Sequence, residues 1–414
     1  MKGPFMDLTT EQRSNLLGKI EKIVSEKYFD PAFDESIWQA IVSRHRSSIV
    51  GACNNEAFEK AVREMMSELS PKTLGLLSRS TPITSRNAIN TSFSVQDVSG
   101  SRRWVFQDVL PGGVGEKAGV HPGDVLLTAA GKPMLPAGDS SAEPPFEMGV
   151  TIPITVERAG NAITLNLTTG NPKYKDNPYS DLTALQPRII NNEIAYLKVS
   201  LFPGKIGIDF ANELDKIFNE QFRAATGLLL DLRGNPGGGI GGLTLMSYLT
   251  PSRLPIGYSR NRELARKGVH PSTLPVFDRI PRSKLGIPGL ALKFLNKTSI
   301  FLYTEAQGQN AFRGPVVILV NEHTAGAAEM LTQFAKENGL AKIVGTKTPG
   351  RLVSRSATKL GCGYRLIVPV AAYVSAKGTQ IEGTGIVPDK VVPWVLDDVV
   401  KGIDNQLAAA LEQF

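Results

Sequence analysis

Residue types that build metal sites and covalent cross-links are scarce in this sequence. The 414 residues include two cysteines and four histidines. Cys53 and Cys362 are too few for a disulfide framework and lack the spacing of a metal site. The histidines lie far apart and form no ligand motif such as HExxH. The sequence therefore predicts neither a metal ion nor another cofactor.

Long apolar runs and blocks of like charge are also missing. No run of about 18 apolar residues occurs, which predicts no transmembrane helix. The start, MKGPFMDLTTEQRSN, lacks the apolar centre of a signal peptide. It therefore predicts a cytoplasmic protein, or an exported one if a leader has been removed. The 46 Lys and Arg against 39 Asp and Glu give a formal charge of +7. No basic stripe with interleaved aromatics accompanies this charge, so nucleic-acid binding is not expected.

Residues 1–75 are predicted to form an N-terminal helical domain. Apolar residues recur at helical spacing from residue 7 to 70, which is typical of amphipathic helices packed on something larger. The expected N-caps of three helices are Thr9 or Thr10, Asp34, and Asn54 or Asn55. On the second helix we expect one buried face, made of Ile37, Trp38, Ile41 and Val42.

Residues 76–170 are predicted to form a small all-β module. Five short apolar runs are separated by Gly and Pro, which is typical of short strands joined by turns. The runs are 93–95, 104–109, 124–131, 152–158 and 162–167. The segment VLPGGVGEKAGVHPGDVLLTAAGKP, residues 109–133, resembles the centre of a PDZ domain.

The resemblance to a PDZ domain implies that the module binds a peptide as an added strand, with backbone N–H groups receiving its terminal carboxylate. The carboxylate loop would lie at residues 90–93, which makes Phe93 a candidate for contact with the peptide. No glycine occurs in that loop, and the segment 133–145, where the groove helix is expected, is rich in Pro and small residues. A purely structural lid is the alternative.

Residues 171–414 are predicted to form an α/β core. Strand-like and helical runs alternate from residue 190 to 398, which favours a layered fold with buried, largely parallel strands. The strand-like runs are IAYLKV, GLLLDLR, PVVILVN, AKIVG and YRLIVPV. The segment 171–188, rich in Pro, Asn and Lys, is predicted to be the linker before this core.

A glycine-rich segment contains the second of these strand-like runs. GLLLDLRGNPGGGIGG, residues 227–242, places glycines directly after a buried strand. Backbone N–H groups can there point into a cleft and hold an anion or a developing oxyanion. The segment is neither GxGxxG nor a P-loop, because no GK[ST] follows. On its own it is equally consistent with a tight turn from strand to helix.

Three further motifs follow the glycine-rich segment in the chain. They are VVILVNEHTAGAAEML (316–331), IVGTKTPGR (343–351) and IEGTGIVPD (381–389). With the glycine-rich segment, the PDZ-like module and the helical start, they resemble the tail-specific, or carboxy-terminal processing, peptidase family. That family also includes the tricorn core and the interphotoreceptor retinoid-binding repeats. The resemblance implies a multidomain α+β protein with an N-terminal helical bundle, a PDZ-like β module and an α/β layered core of the crotonase/ClpP type.

The resemblance also implies where a nucleophile would stand, and there the sequence departs from the family. Relatives carry a serine in the small-residue run that begins a helix. Here the run is TAGAAE, and Gly326 takes the place of the serine. The implied oxyanion hole consists of the backbone N–H of Ala327 and that of Gly237 or Gly238. Because the hole is made of backbone, it is expected to survive the loss of the serine.

The positions implied for a catalytic base are changed as well. The lysine used by one branch of the family falls on Arg351, and arginine does not deprotonate in proteins. The other branch uses a histidine, which would fall near Ser80, where none occurs, and a glutamate that corresponds to Glu382. The residues expected to contact a substrate are Arg351, His323, Lys347, Ser80 and Phe93.

Several roles stay open on the sequence alone. His323 precedes Gly326 by three residues and is either a substitute base or a packing residue. Lys198 and Lys347 qualify as bases only if the fold buries them. Glu382 is either a catalytic carboxylate or a partner of Arg351.

Four functions are compatible with this pattern. The favoured one is a non-hydrolytic enzyme that uses the retained oxyanion hole on the carbonyl group of a small molecule or peptide. The others are a serine endopeptidase inactivated by mutation, a pseudopeptidase that binds a peptide or apolar ligand, and an active peptidase with unfamiliar machinery. A homo-oligomer is left open.

Overall fold

The computed structural model describes residues 7–69, 74–78, 81, 83–136, 143–170, 182–204, 206–295, 297 and 299–414. It is a mixed α/β protein with several sheets. None of the helices within these ranges is both long and apolar enough to cross a membrane.

Three helices open the described chain: α1 (Thr10–Lys27), α2 (Glu35–Val50) and α3 (Asn55–Ser67). Their N-caps are Thr9, Asp34 and Asn54, whose side chains accept hydrogen bonds from backbone N–H groups of the first turn. These caps are among the residues predicted for that role. Ile37, predicted to be buried, is instead 58% exposed. It lies about 100° around the helix from the buried Trp38 and therefore at the edge of the packed face.

The helices share a core with two strands from a distant part of the chain. Buried side chains of α1, α2 and α3 pack against Leu360, Tyr364, Leu366 and Val368. Next to them β1 (Gly75–Leu77) pairs antiparallel with β19 (Tyr364–Ser375). The helices therefore form one layer on a sheet of the core.

A β module follows, in which the predicted strand runs all appear as strands. Its elements are β2 (Ile83–Thr84), α4 (Ser85–Ala88), β3 (Thr91–Val98), β4 (Ser101–Val109), α5 (Val114–Lys117), β5 (Val125–Ala129), β6 (Lys132–Pro133), β7 (Pro145–Phe146), β8 (Thr151–Arg158) and β9 (Asn161–Thr168). The antiparallel sheet has the order β3-β4-β5-β8-β9, with β6 on β5. Its edge strand β3 lies beside α4, and β7 pairs with β2. Residues 134–136 and 143–144, between β6 and β7, contain no helix.

The core contains a six-stranded sheet with the order β10-β11-β12-β16-β17-β20. The strands are β10 (Leu185–Ile190), β11 (Ile194–Val199), β12 (Gly227–Asp231), β16 (Val316–Val320), β17 (Lys342–Gly345) and β20 (Lys390–Val391). Apart from the antiparallel β10–β11 pair, neighbours are parallel. Predominantly parallel, buried strands were predicted from the continuous apolar runs.

Helices cover both faces of this sheet. Alternate residues of β12 serve the two sides: Leu228 and Leu230 join one apolar cluster, while Leu229 joins the other. The helices are α6 (Ile208–Lys216), α7 (Gly242–Tyr248) and α10 (Ala327–Glu337) on the first side, and α12 (Asn405–Leu411) on the second. Shorter helices elsewhere are α8 (Arg262–Arg266), α9 (Ile287–Lys293) and α11 (Leu396–Val400).

A second core sheet differs from the prediction. It has the order β1-β19-β13-β15-β14, with β18 on β19, and its further strands are β13 (Pro255–Arg260), β14 (Val276–Phe277), β15 (Phe301–Tyr303) and β18 (Val353–Gly361). The run YRLIVPV lies in β19 and pairs antiparallel, so its assignment to the parallel layer was wrong. The cause is a hairpin: Cys362 and Gly363, both at positive φ, form the two-residue turn between β18 and β19.

The predicted linker 171–188 also needs correction. Residues 171–181 lie outside the described part, but β10 begins at Leu185 and includes Pro187. Proline is tolerated there because β10 is an edge strand, where one side of the backbone needs no partner. The proline that suggested a linker is thus compatible with a strand.

Candidate functional site

Two loops meet at the carboxyl ends of β12 and β16. The N–H of Ala325 donates to the Asn235 carbonyl oxygen across 2.8 Å. A Cβ atom on Gly237 would lie 2.7 Å from the Ala327 nitrogen and 2.8 Å from the Ala325 oxygen. Such an approach of two backbones leaves no room for a side chain, and Gly237 has φ of +91°. The glycine-rich loop therefore lies directly against the turn that begins α10.

Gly326 forms this turn. Its φ of 60° and ψ of −125° mark a conformation that L-residues rarely adopt. A Cβ atom there would lie 3.3 Å from the Pro236 oxygen and 3.4 Å from the Gly237 Cα. A small side chain would thus fit with a slight shift of its neighbours, at a cost in backbone strain. The turn is kept, but no side-chain atom is present to attack a substrate.

The backbone N–H groups of the two loops are not equivalent. The N–H of Gly237 donates to Asn235 Oδ1 at 2.8 Å. Within the described part of the chain, the N–H groups of Gly238 and Ala327 have no hydrogen-bond acceptor. Ala327 is the first residue of α10, where backbone N–H groups lack partners inside the helix. Of the two glycines predicted for this role, Gly238 therefore has the available donor.

Phe202 holds Gly238 in place from the opposite side. Its N–H donates to the Gly237 oxygen at 3.0 Å, and its own oxygen accepts from the Gly239 N–H at 2.9 Å. A Cβ atom on Gly238 would lie 2.1 Å from the Phe202 oxygen. The Gly238 N–H is consequently held in a fixed direction, away from Phe202.

Glu329, fully buried in the first turn of α10, connects Gly326 to the segment after β17. Its Oε2 accepts from the N–H of Gly326 (3.2 Å) and from that of Arg351 (2.8 Å). Its Oε1 accepts from the Thr348 hydroxyl (2.6 Å) and the Gly350 N–H (2.7 Å). Burial raises the pKa of Glu329, and the four donors only partly oppose this shift. Glu329 was not among the predicted site residues, although an acid at the third helical position is a known capping signal.

Glu382 holds the same segment from the other side. Its Oε2 accepts from the Leu352 N–H at 2.5 Å, and the neighbouring Gly383 N–H donates to the Gly350 oxygen at 2.8 Å. Burial raises the pKa of Glu382, and the nearby Glu329 adds to this shift. The structure thus brings the predicted Glu382 close to Glu329, on the segment that follows Gly350.

Arg351 contributes its backbone to the site. Its carbonyl oxygen would lie 4.0 Å from a Cβ atom on Gly326. Its side chain is exposed and forms no ion pair with Glu382 or any other described residue. The structure therefore does not contain the Glu382–Arg351 ion pair, which was one of the two roles predicted for Glu382. The catalytic role of Glu382 stays a prediction.

His323 faces the β module. Its Nδ1 lies 2.7 Å from Nη2 of Arg86, and Arg86 is 3.7 Å from Glu143. Because arginine only donates, Nδ1 accepts and the neutral ring carries its proton on Nε2. Nε2 is buried and has no partner among the described residues. With Nδ1 occupied by a permanent cation, His323 is poorly placed to take a proton from a nucleophile.

The β module is joined to the glycine-rich loop through Asp108, which sequence reasoning missed. Asn321 Nδ2 donates to both carboxylate oxygens of Asp108, at 3.0 and 3.1 Å, and the Ser92 hydroxyl donates to one of them. Asn321 Oδ1 accepts from the Gly234 N–H at 2.9 Å. A Cβ atom on Gly234 would lie 2.8 Å from the Asp108 Cβ. Nothing in the sequence pairs residues so far apart in the chain.

The structure does not bring the remaining predicted residues together at Gly326. Lys347 is exposed, and Lys198 is held by Asp231 at 3.2 Å. Phe93 is 3% exposed and packs inside the β module, where its ring stacks on that of Phe146 with centroids 6.5 Å apart. Ser80 lies outside the described residues. Contacts of Lys347 and Phe93 with a substrate therefore stay predictions.

Known proteins resemble this chain in sequence and in overall fold. The sequence profile of peptidase family S41 matches residues 193–392, which include both loops and the segments that carry Glu329 and Glu382. A carboxyl-terminal-processing protease of Picosynechococcus is 27% identical over 396 residues, covering 93% of this chain and 84% of the relative.

Solved structures agree in fold. The photosystem II D1 C-terminal processing protease superposes with a TM-score of 0.56 at 18% identity, over 92% of this chain and 93% of the other. An S41 protease structure from Bacteroides fragilis gives a TM-score of 0.56 at 16% identity, over 100% and 98%. With its motifs in the predicted order, this chain belongs to peptidase family S41, the family of the carboxyl-terminal-processing peptidases.

Proposed function

We propose that this chain uses the S41 fold to bind and polarise the carbonyl group of a peptide or small molecule without forming an acyl-enzyme. The observation that carries the proposal is the pair of available N–H groups, on Gly238 and Ala327, beside a position without a nucleophile. Two preorganised donors at a helix N-terminus favour a carbonyl oxygen that gains negative charge. They form the proposed oxyanion hole.

Covalent catalysis lacks its other components. A nucleophile needs an attacking atom and a proton acceptor within reach. Gly326 offers no atom, and both oxygens of Glu329 are already bound to donors. His323 is bonded to Arg86. The N–H groups of Gly238 and Ala327 can still bind and polarise a carbonyl group, and this is the part of the chemistry that we propose.

One observation favours proton transfer as a second step. Glu382 is half-buried, burial raises its pKa, and Oε1 accepts no hydrogen bond from the described residues. A carboxyl group with a raised pKa and a free oxygen is a stronger proton acceptor than an ordinary carboxylate. Beside a polarised carbonyl, the Glu382 carboxylate would take the α-proton of a ketone or thioester and leave an enolate, whose oxygen is held by the two N–H groups. The protonated Glu382 would then return a proton to the α-carbon. This candidate predicts exchange of the substrate's α-hydrogen with solvent deuterium.

The β module is the proposed PDZ-like domain, with a structural role in preference to capture of a free C-terminus. Phe93, the residue expected to contact a peptide, is buried and stacks on Phe146 inside the module. The Asp108–Asn321 contact instead fixes the module to the glycine-rich loop. These contacts support the role of a lid.

The test removes one donor while keeping the helix. Proline is well tolerated at the first helical position, so Ala327→Pro removes the N–H and puts a ring methylene in its place, whereas Ala327→Gly retains the N–H as the matched control. The probe is fluorescein-labelled β-casein, followed by anisotropy for binding and by gel for cleavage. We expect the parent protein to bind without cleaving, and Ala327→Pro to bind about tenfold more weakly, as for one lost hydrogen bond. Cleavage by the parent, or equal binding by both variants, would overturn the proposal.

A further inference from the structure

An exposed segment of the core, residues 284–295, is apolar on two sides. It contains α9 and lies between β14 and β15. Toward the protein, Ile287 and Leu290 of α9 and Phe294, which directly follows it, pack against the core. Facing solvent are Leu285, Leu292 and Leu295, which are 91%, 75% and 62% exposed. A helix on a water-covered surface normally presents polar residues on its outer face.

The outward leucines form a concentrated patch. Leu285 and Leu292 are the two most exposed large apolar side chains of the described residues, and Leu295 follows within three positions. Leu285 lies in the 3₁₀ turn that leads into α9, and Leu292 lies in the last turn of α9. Single exposed apolar residues are ordinary, but a cluster of this kind marks an interaction surface.

The charged residues in the stretch that contains the patch are all basic. No Asp or Glu occurs in residues 279–304, whereas five basic residues do. Arg279 is paired with Glu305 at 2.8 Å. Arg282 is paired with Asp215 at 3.1 Å. The three others are exposed and form no ion pair with any residue that the structure describes: Lys284, Lys293 and Lys297.

We propose that this leucine–lysine patch docks the protein on an anionic lipid surface. The three leucines would enter the boundary between head groups and acyl chains, while the three lysines contact lipid phosphates and carboxylates. Basic residues around exposed Leu and Phe are the composition of interfacial helices, and electrostatic attraction adds to apolar burial there. The proposal does not depend on the carbonyl site.

A second copy of the chain fits the patch less well. A two-fold contact places the same patch on both sides of the interface. Six lysines would then face one another without an acidic partner in residues 279–304. Like charges brought together in this way oppose association, whereas an anionic bilayer complements them.

Co-sedimentation of the full chain with lipid vesicles tests the proposal. Vesicles of phosphatidylcholine alone are compared with vesicles that also contain phosphatidylserine, at low and high salt. We expect binding to the second kind only, weakened by salt. A triple variant should bind the vesicles roughly 100-fold more weakly, since each lysine near an anionic surface raises the affinity about fivefold. Its changes are Lys284→Gln, Lys293→Gln and Lys297→Gln.

Two further variants complete the test. Leu285→Ser, Leu292→Ser and Leu295→Ser together should reduce binding about tenfold or more, because apolar insertion is lost. The control variant should bind as the parent does. It carries three changes at exposed lysines elsewhere: Lys22→Gln, Lys60→Gln and Lys132→Gln. No binding, or equal binding to both vesicles, overturns the proposal. A dimer that the serine variant dissolves, without lipid binding, would assign the patch to a second copy.

Discussion

The Gly326 N–H donates to Oε2 of Glu329 across 3.2 Å, so the acid at the third helical position closes the turn that begins α10. The same oxygen accepts from Arg351. This one carboxylate therefore links Gly326 to the segment that follows β17. Gly326 forms its turn without a side chain that could attack a substrate.

Replacing Gly326 by serine should not restore a peptidase. The new hydroxyl would have no histidine or lysine base at the expected positions, because Arg351 cannot accept a proton and His323 is bonded to Arg86. We expect Gly326→Ser to show no hydrolysis of labelled casein and no labelling by a fluorophosphonate. Backbone strain at φ of 60° should lower the free energy of unfolding by about 1–3 kcal/mol.

Gly326→Ala is the matched control for that experiment, since it carries the same strain without a hydroxyl. Both variants should unfold at similar urea concentrations. Fluorophosphonate labelling of the serine variant alone would show that a single substitution had inactivated a peptidase.

Glu329→Gln should destabilise the protein. An amide offers one acceptor oxygen, and its NH2 group would face N–H donors that now bind a carboxylate. Leaving buried donors without an acceptor should lower the free energy of unfolding by about 2–3 kcal/mol, measured by urea denaturation. Glu412→Gln, on an exposed and ion-paired glutamate, serves as control and should change it by less than about 0.5 kcal/mol. Equal effects in the two variants would contradict a structural role for Glu329.

The sequence predicted most of the fold but only part of the site. Helix caps, apolar runs and ordered motifs are local signals, and they identified the caps, the strands and the loop that carries Gly238. The choice between Gly237 and Gly238 depends on how Asn235 turns back on its own loop, which no spacing encodes. Asp108 reaches Asn321 across 213 positions, and only the folded chain brings them together.

The stability contributed by Glu382 should depend on pH. Burial raises its pKa in the folded state, so its charged form is disfavoured there relative to the unfolded chain. This cost is fully present above the raised folded pKa and disappears as the pH falls through it toward the unfolded value. The parent should therefore gain stability relative to Glu382→Gln, which does not titrate, as the pH is lowered from 7.5 toward 5. Urea denaturation at several pH values measures this difference. A parent that loses stability relative to the variant on acidification would mean that the pKa is lowered.

Asp108→Asn should loosen the β module from the glycine-rich loop. The new NH2 group would oppose the Asn321 amide and the Ser92 hydroxyl, both of which now donate to the carboxylate. Hydrogen exchange should become faster at residues 232–238 and 321–326, because the Gly234 N–H depends on the same Asn321 side chain. Asp97→Asn, on an exposed position of the edge strand β3, is the control and should leave both segments unchanged. If exchange rises only inside the β module, the Asp108–Asn321 contact does not order the loop, and the lid role proposed for the module loses its support.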